Sequence, residues 1–568
     1  MFAAPAHSGS LLNLFARAFA DQCYRWSDKA GKDAARQAGY RLILAEQEGE
    51  TSIELTEPER QALLLSGLLA KADEDGVSSG KPLMLDSSGR LYLARYLQSE
   101  NRLAAFLAAR NCPLPPASHD RAHTLLQQLF SDDADERQQQ AVALALKRQL
   151  VILSGGPGTG KTRTMARLLA CLLSSTPTLR VALAAPTGKA ASRMQESLIQ
   201  AAQALPPEIA ALLPAKTFTI HRLLGMSADG LVPRYHAGHP LPFDLFIVDE
   251  ASMLDLSLAE QLFSAIPPAA RLILIGDAAQ LPAVEAGNVF AALTETKALR
   301  EAVIRLEKNY RFSADTPLGG LIGALASGND EAALAALSVP GDDLVWLEET
   351  KAALSPQALD ALAEGFAAYK NALAAWQPGA SPTPLFDALN EFRILAALRE
   401  NERGTLALNA HLNRLFAPRH STGTLFPGQA IMVTRNDPDT RLYNGDTGIL
   451  LPATPDSPHL KACFPDLDAD WRYLDINRLP EFETAFALTV HKAQGSEFTR
   501  VALVLPGADT PLLTRELVYT ALTRARKQVL LLGEPQLFAT ALKRARQRKN
   551  SLTERIQQFH DKNLVILP

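Results

Sequence analysis

Residues 155–162 read Gly155-Gly156-Pro157-Gly158-Thr159-Gly160-Lys161-Thr162, a glycine-rich loop that ends in a lysine and a threonine. A short apolar run at 150–153 precedes the loop, and a segment with the apolar spacing of a helix follows it from Met165. A strand, a glycine-rich loop and a helix in this order form the setting of a phosphate-binding loop. We therefore predict a nucleotide site at the end of a strand in an α/β sheet.

The residue types in this loop suit phosphate binding. Glycines let backbone N–H groups surround a phosphate chain where a Cβ would collide, and the helix N-terminus adds partial positive charge. Lys161 would reach the β- and γ-phosphates of ATP, and the hydroxyl of Thr162 would hold Mg²⁺. ATP and Mg²⁺ are therefore the predicted cofactors, with the whole loop from Gly155 to Thr162 as the binding segment.

Composition limits the class of protein. The chain has 568 residues, enough for about three or four domains. Because its net charge is −4, a DNA path would have to be a local basic groove rather than a basic surface. The four cysteines are scattered without a CxxC pair, which argues against a disulfide framework and a zinc site. We find no signal peptide and no run of about 18 apolar residues, and predict a cytoplasmic protein.

Two further apolar segments end in polar residues that suit ATP hydrolysis. The segment at 245–248 leads into Asp249 and Glu250. Asp249 would hold Mg²⁺, directly or through water, and Glu250 would polarise the attacking water. The segment at 272–275 is followed by Gln280, which would sense the γ-phosphate. We predict that both segments are buried strands of the sheet that carries the phosphate loop.

Four residues outside these strands are weaker candidates. Gln138 would read the adenine edge through its amide, but a glutamine on a helix is usually solvated. Tyr310 would stack on adenine and Arg311 would bind phosphate through two hydrogen bonds, but such a pair is often surface packing. Arg524, far from the phosphate loop in sequence, would be supplied across a cleft that ATP closes. The alternative for Arg524 is a solvated basic helix face.

The sequence at 181–187 is a further candidate for contact with a phosphate backbone. A buried-strand pattern at 181–185 ends in Pro186 and Thr187, and a lysine follows shortly after. Small residues and a lysine at the carboxyl end of a strand suit a phosphate backbone that passes over it. The alternative is an ordinary turn between a strand and a helix.

Patterning divides the chain into a helical region, two α/β regions and a β insertion. Residues 1–125 have helix-like apolar clusters and no catalytic set, so we predict a helical N-terminal docking domain that ends in a Pro-rich linker at 113–116. Residues 126–330 form the first α/β domain. Short segments separated by Asn-Gly and Asp-Pro turns predict a small β-barrel at 425–480, inserted between the two parts of a second α/β domain. Those two parts are 331–424 and 481–568.

The ordered segments resemble the motifs of superfamily-1 DNA helicases. In one-letter code they are GGPGTGKT, APTGKAA, VDEAS, GDAAQLP, KNYRF, TVHKAQGSEF and YTALTRAR, which together run from about Gln138 to Arg526. Within the superfamily the chain resembles the RecD family of helicase subunits. The resemblance implies two RecA-like P-loop motor domains, 5′→3′ translocation on single-stranded DNA, and assembly with RecB-type and RecC-type subunits. Such a heterotrimeric helicase–nuclease acts on duplex DNA ends in recombinational repair.

The resemblance also implies a role for each motif residue. An ATPase site would combine the phosphate loop with residues from both domains, namely Lys161, Thr162, Asp249, Glu250, Gln280, Arg311 and Arg524. Gln138 and Tyr310 would hold the base, and Glu497 would hold the ribose. Four residues lie in motifs that face the DNA path, namely Pro186, Thr187, His491 and Gln494.

Two other functions compete with this interpretation. One is a stand-alone superfamily-1 5′→3′ DNA helicase, which would share every motif. The other is a structural adaptor that uses the phosphate loop as a switch, and Gln280, Arg311 and Arg524 argue against it because a switch does not need a full translocation series. The sequence contains no nuclease constellation of acids and lysine, so we assign the nuclease work to a partner subunit.

Overall fold

Four β-sheets and the helices around them make up the part of the chain that the computed structural model describes. The described residues are 11–71, 80–114, 120–131, 135–226, 232–339, 341–418, 425–437, 439–452, 459–466, 471–544 and 551–566. Residues 115 and 116 of the predicted Pro-rich linker lie outside these ranges. None of the described helices is long and apolar enough to cross a membrane.

The N-terminal region combines helices with a small sheet. Its helices are α1 (Leu11–Trp26), α2 (Lys32–Gln47), α3 (Glu57–Leu64) and α4 (Ala94–Arg110). Its strands are β1 (Ser52–Glu54), β2 (Leu69–Lys71), β3 (Leu83–Leu85) and β4 (Arg90–Leu93), paired in the order β1-β4-β3-β2. The prediction of a helical N-terminal domain is therefore wrong in part.

The apolar run at 63–69 shows why these strands were missed. α3 ends at Leu64, and Gly67 adopts a φ of +71°, a conformation that favours glycine and turns the chain. The chain then enters β2, which is only 3 residues long. A strand of this length gives no clear alternation of apolar and polar residues, so a short apolar run reads equally well as a helix.

The first parallel sheet carries the phosphate loop. Its strands are β5 (Leu150–Gly155), β6 (Val181–Ala185), β7 (Thr217–Thr219), β8 (Leu245–Val248), β9 (Arg271–Gly276) and β10 (Val303–Leu306), in the order β10-β5-β9-β8-β6-β7. Its helices are α5 (Asp120–Leu129), α6 (Glu136–Lys147), α7 (Lys161–Ser175), α8 (Gly188–Ala202), α9 (Pro207–Ala210), α10 (Ile220–Leu224), α11 (Leu256–Ala265) and α12 (Val289–Glu295). The strands predicted at 150–153, 181–185, 245–248 and 272–275 are confirmed.

The register of this sheet explains how distant motifs meet. β5 lies between β10 and β9, and β9 also pairs with β8, all in parallel. Their carboxyl ends therefore lie at the same edge of the sheet, where ligands of parallel α/β sheets bind. The loops that follow β5, β8 and β9 contain the phosphate loop, the two predicted carboxylates and Gln280.

A second parallel sheet and an antiparallel sheet follow in the chain. The parallel strands are β11 (Leu344–Glu348), β12 (Phe392–Ala396), β18 (Ala487–Thr489), β19 (Phe498–Val504) and β20 (Ala525–Gly533), in the order β11-β20-β19-β12-β18. Its helices are α13 (Pro317–Ser327), α14 (Asp330–Leu337), α15 (Pro356–Gly365), α16 (Ala367–Ala375), α17 (Thr383–Glu391), α18 (Thr405–Phe416), α19 (Arg515–Leu522) and α20 (Pro535–Lys543).

The inserted β region is an antiparallel sheet of short strands. They are β13 (Ala430–Val433), β14 (Thr447–Pro452), β15 (Leu460–Pro465), β16 (Trp471–Asp475) and β17 (Phe482–Thr484), in the order β16-β15-β14-β13-β17. Among the described residues the end strands β16 and β17 do not pair with each other, so the predicted closed barrel is not confirmed. Four of its five strands lie within the predicted bounds of 425–480, whereas β17 lies beyond residue 480, in the segment predicted to belong to the second α/β domain.

The last helix, α21 (Ser551–Ile566), returns to the N-terminal half of the molecule. Its Leu552 and Ile556 belong to an apolar cluster that also contains Leu103 of α4 and Phe263 of α11. The prediction placed 481–568 in the second α/β domain, whereas this helix packs on α4 and on the first parallel sheet's helices. An apolar helix face packs on whichever surface buries it, and the sequence of α21 does not identify that surface.

Candidate active site

A cavity of about 390 Å³ lies between the two parallel sheets and contains most of the predicted site. From the first sheet it is lined by Gln138, Gly156, Pro157, Gly158, Gly160, Lys161, Thr162, Asp249, Glu250, Gln280, Tyr310 and Arg311. From the second sheet it is lined by Gly495, Glu497 and Arg524. Gly155 and Thr159 belong to the same loop. The cleft thus brings together residues that are up to several hundred positions apart in the sequence.

The phosphate loop has the backbone geometry that its glycines allow. Gly158 and Gly160 have φ values of +81° and +84°, a region that L residues with a Cβ rarely adopt. Gly160 also ends the loop, and α7 begins at Lys161. The Lys161 ammonium donates to the carbonyl oxygens of Gly155 at 2.7 Å and Gly156 at 3.1 Å. The charge is therefore held over the loop, next to the space where a phosphate chain would lie.

Gln138 lies directly against this loop, on the first turn of α6. Its Nε2 donates to the carbonyl oxygen of Thr159 at 3.2 Å, and a Cβ on Gly160 would approach that nitrogen to 2.4 Å. Its Oε1 is buried and has no hydrogen-bond partner among the described residues. A buried amide oxygen without a donor is costly, and a ligand N–H group, such as the amino group of adenine, would satisfy it.

Asp249 and Glu250 follow β8 into the cleft. The Oδ1 of Asp249 accepts a hydrogen bond from the backbone N–H of Glu250 at 2.9 Å. Burial raises the pKa of Asp249 to about 6, and the neighbouring Glu250 adds to the rise while Lys161 opposes it. Glu250 has a φ of +52°, a strained conformation for a residue with a Cβ. The loop thus holds two carboxylates close together at an energetic cost, which a bound cation would relieve.

The oxygen donors here fit a hard cation. Thr162, which follows β5, and Asp249, which follows β8, both line the cavity at the carboxyl edge of the sheet, and hydroxyl and carboxylate oxygens are ligands of Mg²⁺. Over the described part of the chain there is no group of three or more His, Cys, Asp and Glu side chains that would hold a metal alone. Mg²⁺ commonly uses one or two carboxylates together with substrate phosphates, so this sparse set suits it.

Glu497 joins the two sides of the cleft through arginines. Its carboxylate accepts a hydrogen bond from Nη2 of Arg311 at 2.9 Å and from Nε of Arg526 at 3.2 Å. It also forms ion pairs with Nη1 of Arg311 at 2.9 Å and with Arg193. Burial works to raise the pKa of Glu497, but Arg193 and Arg311 outweigh it and lower the pKa to about 2. Contact with a ribose, the role that the resemblance implies for Glu497, stays a prediction.

Arg193 on α8 is a site residue that sequence reasoning missed. It lines the cavity and forms an ion pair with Glu497. The negative charges of Glu250 and Asp249 nearby contribute to raising its pKa. The sequence offered one indication of this role: Arg193 lies about one helical turn after Lys189, on the helix that starts at Gly188. Nothing in the local sequence distinguishes it from a solvated arginine, because its partner comes from the second sheet.

Arg524 and Tyr310 reach the cavity from opposite sides. Arg524 lies in the turn between α19 and β20, is 2% exposed, and donates to the carbonyl oxygens of Thr520 at 3.2 Å and Ser496 at 3.3 Å. This arginine is therefore buried at the cleft and not on a solvated helix face. The Tyr310 hydroxyl donates to Asp135 at 2.7 Å, and its ring is 46% exposed.

The four predicted DNA residues lie outside the cavity. Pro186 is buried, and the Thr187 hydroxyl accepts from the N–H of Ala190 at the start of α8. His491 is half-buried, and Gln494 is buried with its Nε2 donating to the carbonyl oxygen of Leu281 at 2.9 Å. Contact of these residues with DNA stays a prediction.

Comparison with known proteins finds family models that match one segment from each side of the cleft. A family model of an AAA domain matches residues 138–286, and a model of the UvrD-like helicase C-terminal domain matches residues 484–532. The chain is 36% identical over 489 residues to the RecBCD enzyme subunit RecD of Mycolicibacterium smegmatis, covering 84% of each chain. It is 30% identical to the subunit of the same name from Haemophilus influenzae, covering 83% of this chain and 81% of that one. It is 33% identical to the ATP-dependent RecD2 DNA helicase of Deinococcus radiodurans, covering 83% of this chain and 59% of that one.

Proposed function

This chain belongs to the RecD family of DNA helicase subunits, and we propose that it is the ATP-driven 5′→3′ motor of a RecBCD-type helicase–nuclease. The observation that carries the proposal is the cleft, which is lined by the phosphate loop, Glu250 and Gln280 from one parallel sheet and by Arg524 from the other. A site completed by two domains can couple hydrolysis to their relative movement, which a motor requires.

Most of the predicted residues of the cleft would have a distinct task in binding or hydrolysing ATP. The phosphate loop and Lys161 would hold the triphosphate, Gln138 and Tyr310 would hold the base, and Thr162 and Asp249 would hold Mg²⁺. Mg²⁺ bound there would neutralise charge on the phosphates. Glu250 would orient and deprotonate the attacking water, while Arg311 and Arg524 would stabilise charge that develops in the transition state.

The motor assignment is tested by Lys161→Gln, which removes the ammonium of the phosphate loop and leaves an uncharged polar side chain that is shorter by one methylene group. DNA-stimulated ATP hydrolysis should fall by at least about a hundredfold, because the lysine stabilises the transferring phosphoryl group. Lys370→Gln on α16, an exposed lysine away from the cleft, removes the same charge and should leave turnover unchanged. The wild type should unwind duplexes with a 5′ single-stranded tail, and equal turnover in both variants would contradict the assignment.

The N-terminal domain is the proposed docking surface for a RecC-type subunit. Phe15 and Trp26 on α1 are 58% and 54% exposed, and their spacing of about three turns puts them on one helix face. Leu14 beside them is 56% exposed. Exposed aromatic side chains on one face are typical of interaction surfaces and of binding hot spots.

Docking is tested with the double variant Phe15→Ser, Trp26→Ser. Co-purification with coexpressed RecB-type and RecC-type subunits should be lost, whereas DNA-stimulated ATP hydrolysis by the isolated chain should remain, because the cleft is untouched. Leu415→Ser on α18 removes another exposed apolar side chain, 53% exposed, and should leave assembly unchanged. Intact assembly of the double variant would favour a stand-alone helicase, and selective loss of single-stranded DNA binding would make α1 a DNA contact.

A further inference from the structure

The loop that carries Gln280 is held by side chains of the second parallel sheet. The Tyr519 hydroxyl donates to Oδ2 of Asp277 at 3.0 Å. The Thr520 hydroxyl accepts from the N–H of Leu281 at 2.8 Å, and Gln494 donates to the carbonyl oxygen of the same residue at 2.9 Å. All three side chains are buried. Residues of the second domain are therefore hydrogen-bonded to both ends of loop 277–281, at Asp277 and Leu281, on either side of Gln280.

Gln280 is attached to the same carboxylate oxygen that Tyr519 contacts. Its Nε2 donates to Oδ2 of Asp277 at 3.2 Å, while Oδ1 of Asp277 accepts from the N–H of Ala279 at 3.0 Å. Gln280 is 4% exposed and lines the nucleotide cavity. A hydrogen bond to a carboxylate is stronger than one between neutral groups, so this oxygen fixes the position of the Gln280 amide.

The Tyr519 hydroxyl also lies against the phosphate loop. A Cβ added to Gly156 would be 2.8 Å from the Tyr519 oxygen and 4.0 Å from Oδ2 of Asp277. Burial, together with the Asp277 carboxylate, raises the pKa of Tyr519 well above its ordinary value, so the hydroxyl stays a donor. One side chain of the second domain thus contacts the carboxylate that holds Gln280 and borders the loop that would hold the phosphates.

We propose that Tyr519 is a positioning residue for ATP hydrolysis, which sets the place of Gln280 through Asp277 and ties it to the position of the second motor domain. This inference rests on the proposed function and adds the element that couples the two domains to the residue facing the γ-phosphate. When the cleft is closed, Asp277 accepts from both Tyr519 and Gln280. When the second domain moves away, Asp277 loses the hydrogen bond from Tyr519 and accepts only from donors of the first domain. The Gln280 amide, which is bonded to the same oxygen, then changes its position.

The test is Tyr519→Phe, which removes one hydroxyl and keeps the ring. The kcat of DNA-stimulated ATP hydrolysis should fall about tenfold, as expected for loss of one hydrogen bond to a charged group, because Gln280 is then misplaced. The KM for ATP and the affinity for a non-hydrolysable ATP analogue should stay within about twofold, because Tyr519→Phe removes no group of the phosphate loop and leaves Lys161 in place.

Tyr369→Phe is the matched control. Tyr369 is another buried tyrosine of the second domain, and its hydroxyl makes a hydrogen bond of 2.7 Å to the carbonyl oxygen of Gly428, away from the cleft. This variant loses a comparable buried bond and should keep the wild-type kcat. Thermal unfolding of both variants separates lost stability from lost positioning.

Thr520→Val provides a second, independent variant, because it frees the N–H of Leu281 at the other end of the same loop. It should lower kcat with the same unchanged KM. If Tyr519→Phe and Thr520→Val both turn over ATP as Tyr369→Phe does, or if they change only KM, the inference is wrong while the motor assignment stands. If the wild-type chain itself shows no DNA-stimulated hydrolysis, the proposed function is wrong and the inference falls with it.

Discussion

The first motor domain has two interfaces within this chain, and they are built differently. Toward the second motor domain, across the nucleotide cleft, the contacts include the hydrogen bonds of loop 277–281 and the arginines around Glu497. Toward α4 and α21, it shares one apolar cluster with both helices, through Leu103, Leu107, Leu552 and Ile556. The first interface is rich in directional polar contacts, whereas the second combines a continuous apolar core with a few polar contacts, such as the hydrogen bonds of Arg110 to two carbonyl oxygens and the ion pair of Arg102 with Glu260.

The difference matches what each interface has to do. A hydrogen bond contributes little net free energy, because water or a ligand can replace either partner, so polar contacts across a cleft can be exchanged when phosphates enter. An apolar surface gains no comparable partner when it is exposed to water, so the free energy needed to separate two apolar surfaces rises with the area that they bury. We therefore expect the cleft to open and close with nucleotide while α4, α21 and the first motor domain move as one body.

A buried ionic network joins α21 to the N-terminal domain. Arg555 of α21 contacts Glu100 at 3.3 Å and Asp86 at 3.1 Å, and it also donates to the Tyr92 hydroxyl. Glu100 is 1% exposed and additionally accepts from Thr51 and Ser551, both at 2.7 Å. We expect this network to favour one register of α21 on the N-terminal domain, because a shifted register would leave buried charges unpaired.

The largest effect on this comparison is expected from Arg555→Met, which keeps the apolar stem and leaves Glu100 and Asp86 without their cation. The interface should lose about 3 kcal/mol, because an uncompensated buried carboxylate is costly. Hydrogen exchange should become faster in α4 and α21, while ATP turnover per folded molecule should change little. Exchange measured on these two helices reports the local opening free energy without requiring a single unfolding transition.

A surface pair in the same domain is the control for that experiment. Arg36 and Asp21 are 2.7 Å apart with side chains 56% and 48% exposed, so Arg36→Met should cost less than about 1 kcal/mol. The double variant Arg555→Met, Glu100→Gln should recover part of the loss, because it removes one unpaired charge. Unchanged exchange in Arg555→Met would mean that the apolar cluster alone fixes α21.

The comparison also separates what the sequence could predict from what it could not. Lys161, Thr162, Asp249 and Gln280 were predictable because each follows a buried strand, and the ends of neighbouring parallel strands meet at one edge of the sheet. The helices within residues 1–125 likewise agree with the helix-like apolar clusters of that region. These predictions needed only local pattern and one general property of parallel sheets.

The contacts across the cleft were not predictable in this way. Tyr519 and Asp277 are 242 residues apart, and each lies in a motif whose other members already had assigned roles. Arg193 is recognised as a site residue only through its ion pair with Glu497, which belongs to the other motor domain. Local sequence carries no information on such pairs, because they depend on how two domains face each other. For the same reason the sequence did not place α21 on α4.

The smallest predicted effect is in the cleft, where Glu497→Gln removes the carboxylate that joins Arg193, Arg311 and Arg526. Without nucleotide, the variant should be less stable than the wild type by about 1 kcal/mol near neutral pH, because two of the arginines are part-exposed and the third is largely solvated. Thermal unfolding of both proteins between pH 7 and pH 3 measures the difference.

The sign of the pH dependence follows from the low pKa of Glu497. Because Arg193 and Arg311 lower it to about 2 in the folded chain, the folded state binds fewer protons here than the unfolded state, where glutamate has its ordinary pKa of about 4.3. The stabilisation is complete above that ordinary value and is lost as the pH falls toward 2. The gap between wild type and Glu497→Gln should therefore be constant from pH 7 to about pH 5 and narrow below it. A gap that stays constant to pH 3, or that widens, would mean that the arginines do not hold this carboxylate in solution, and the cleft would then depend on loop 277–281 alone.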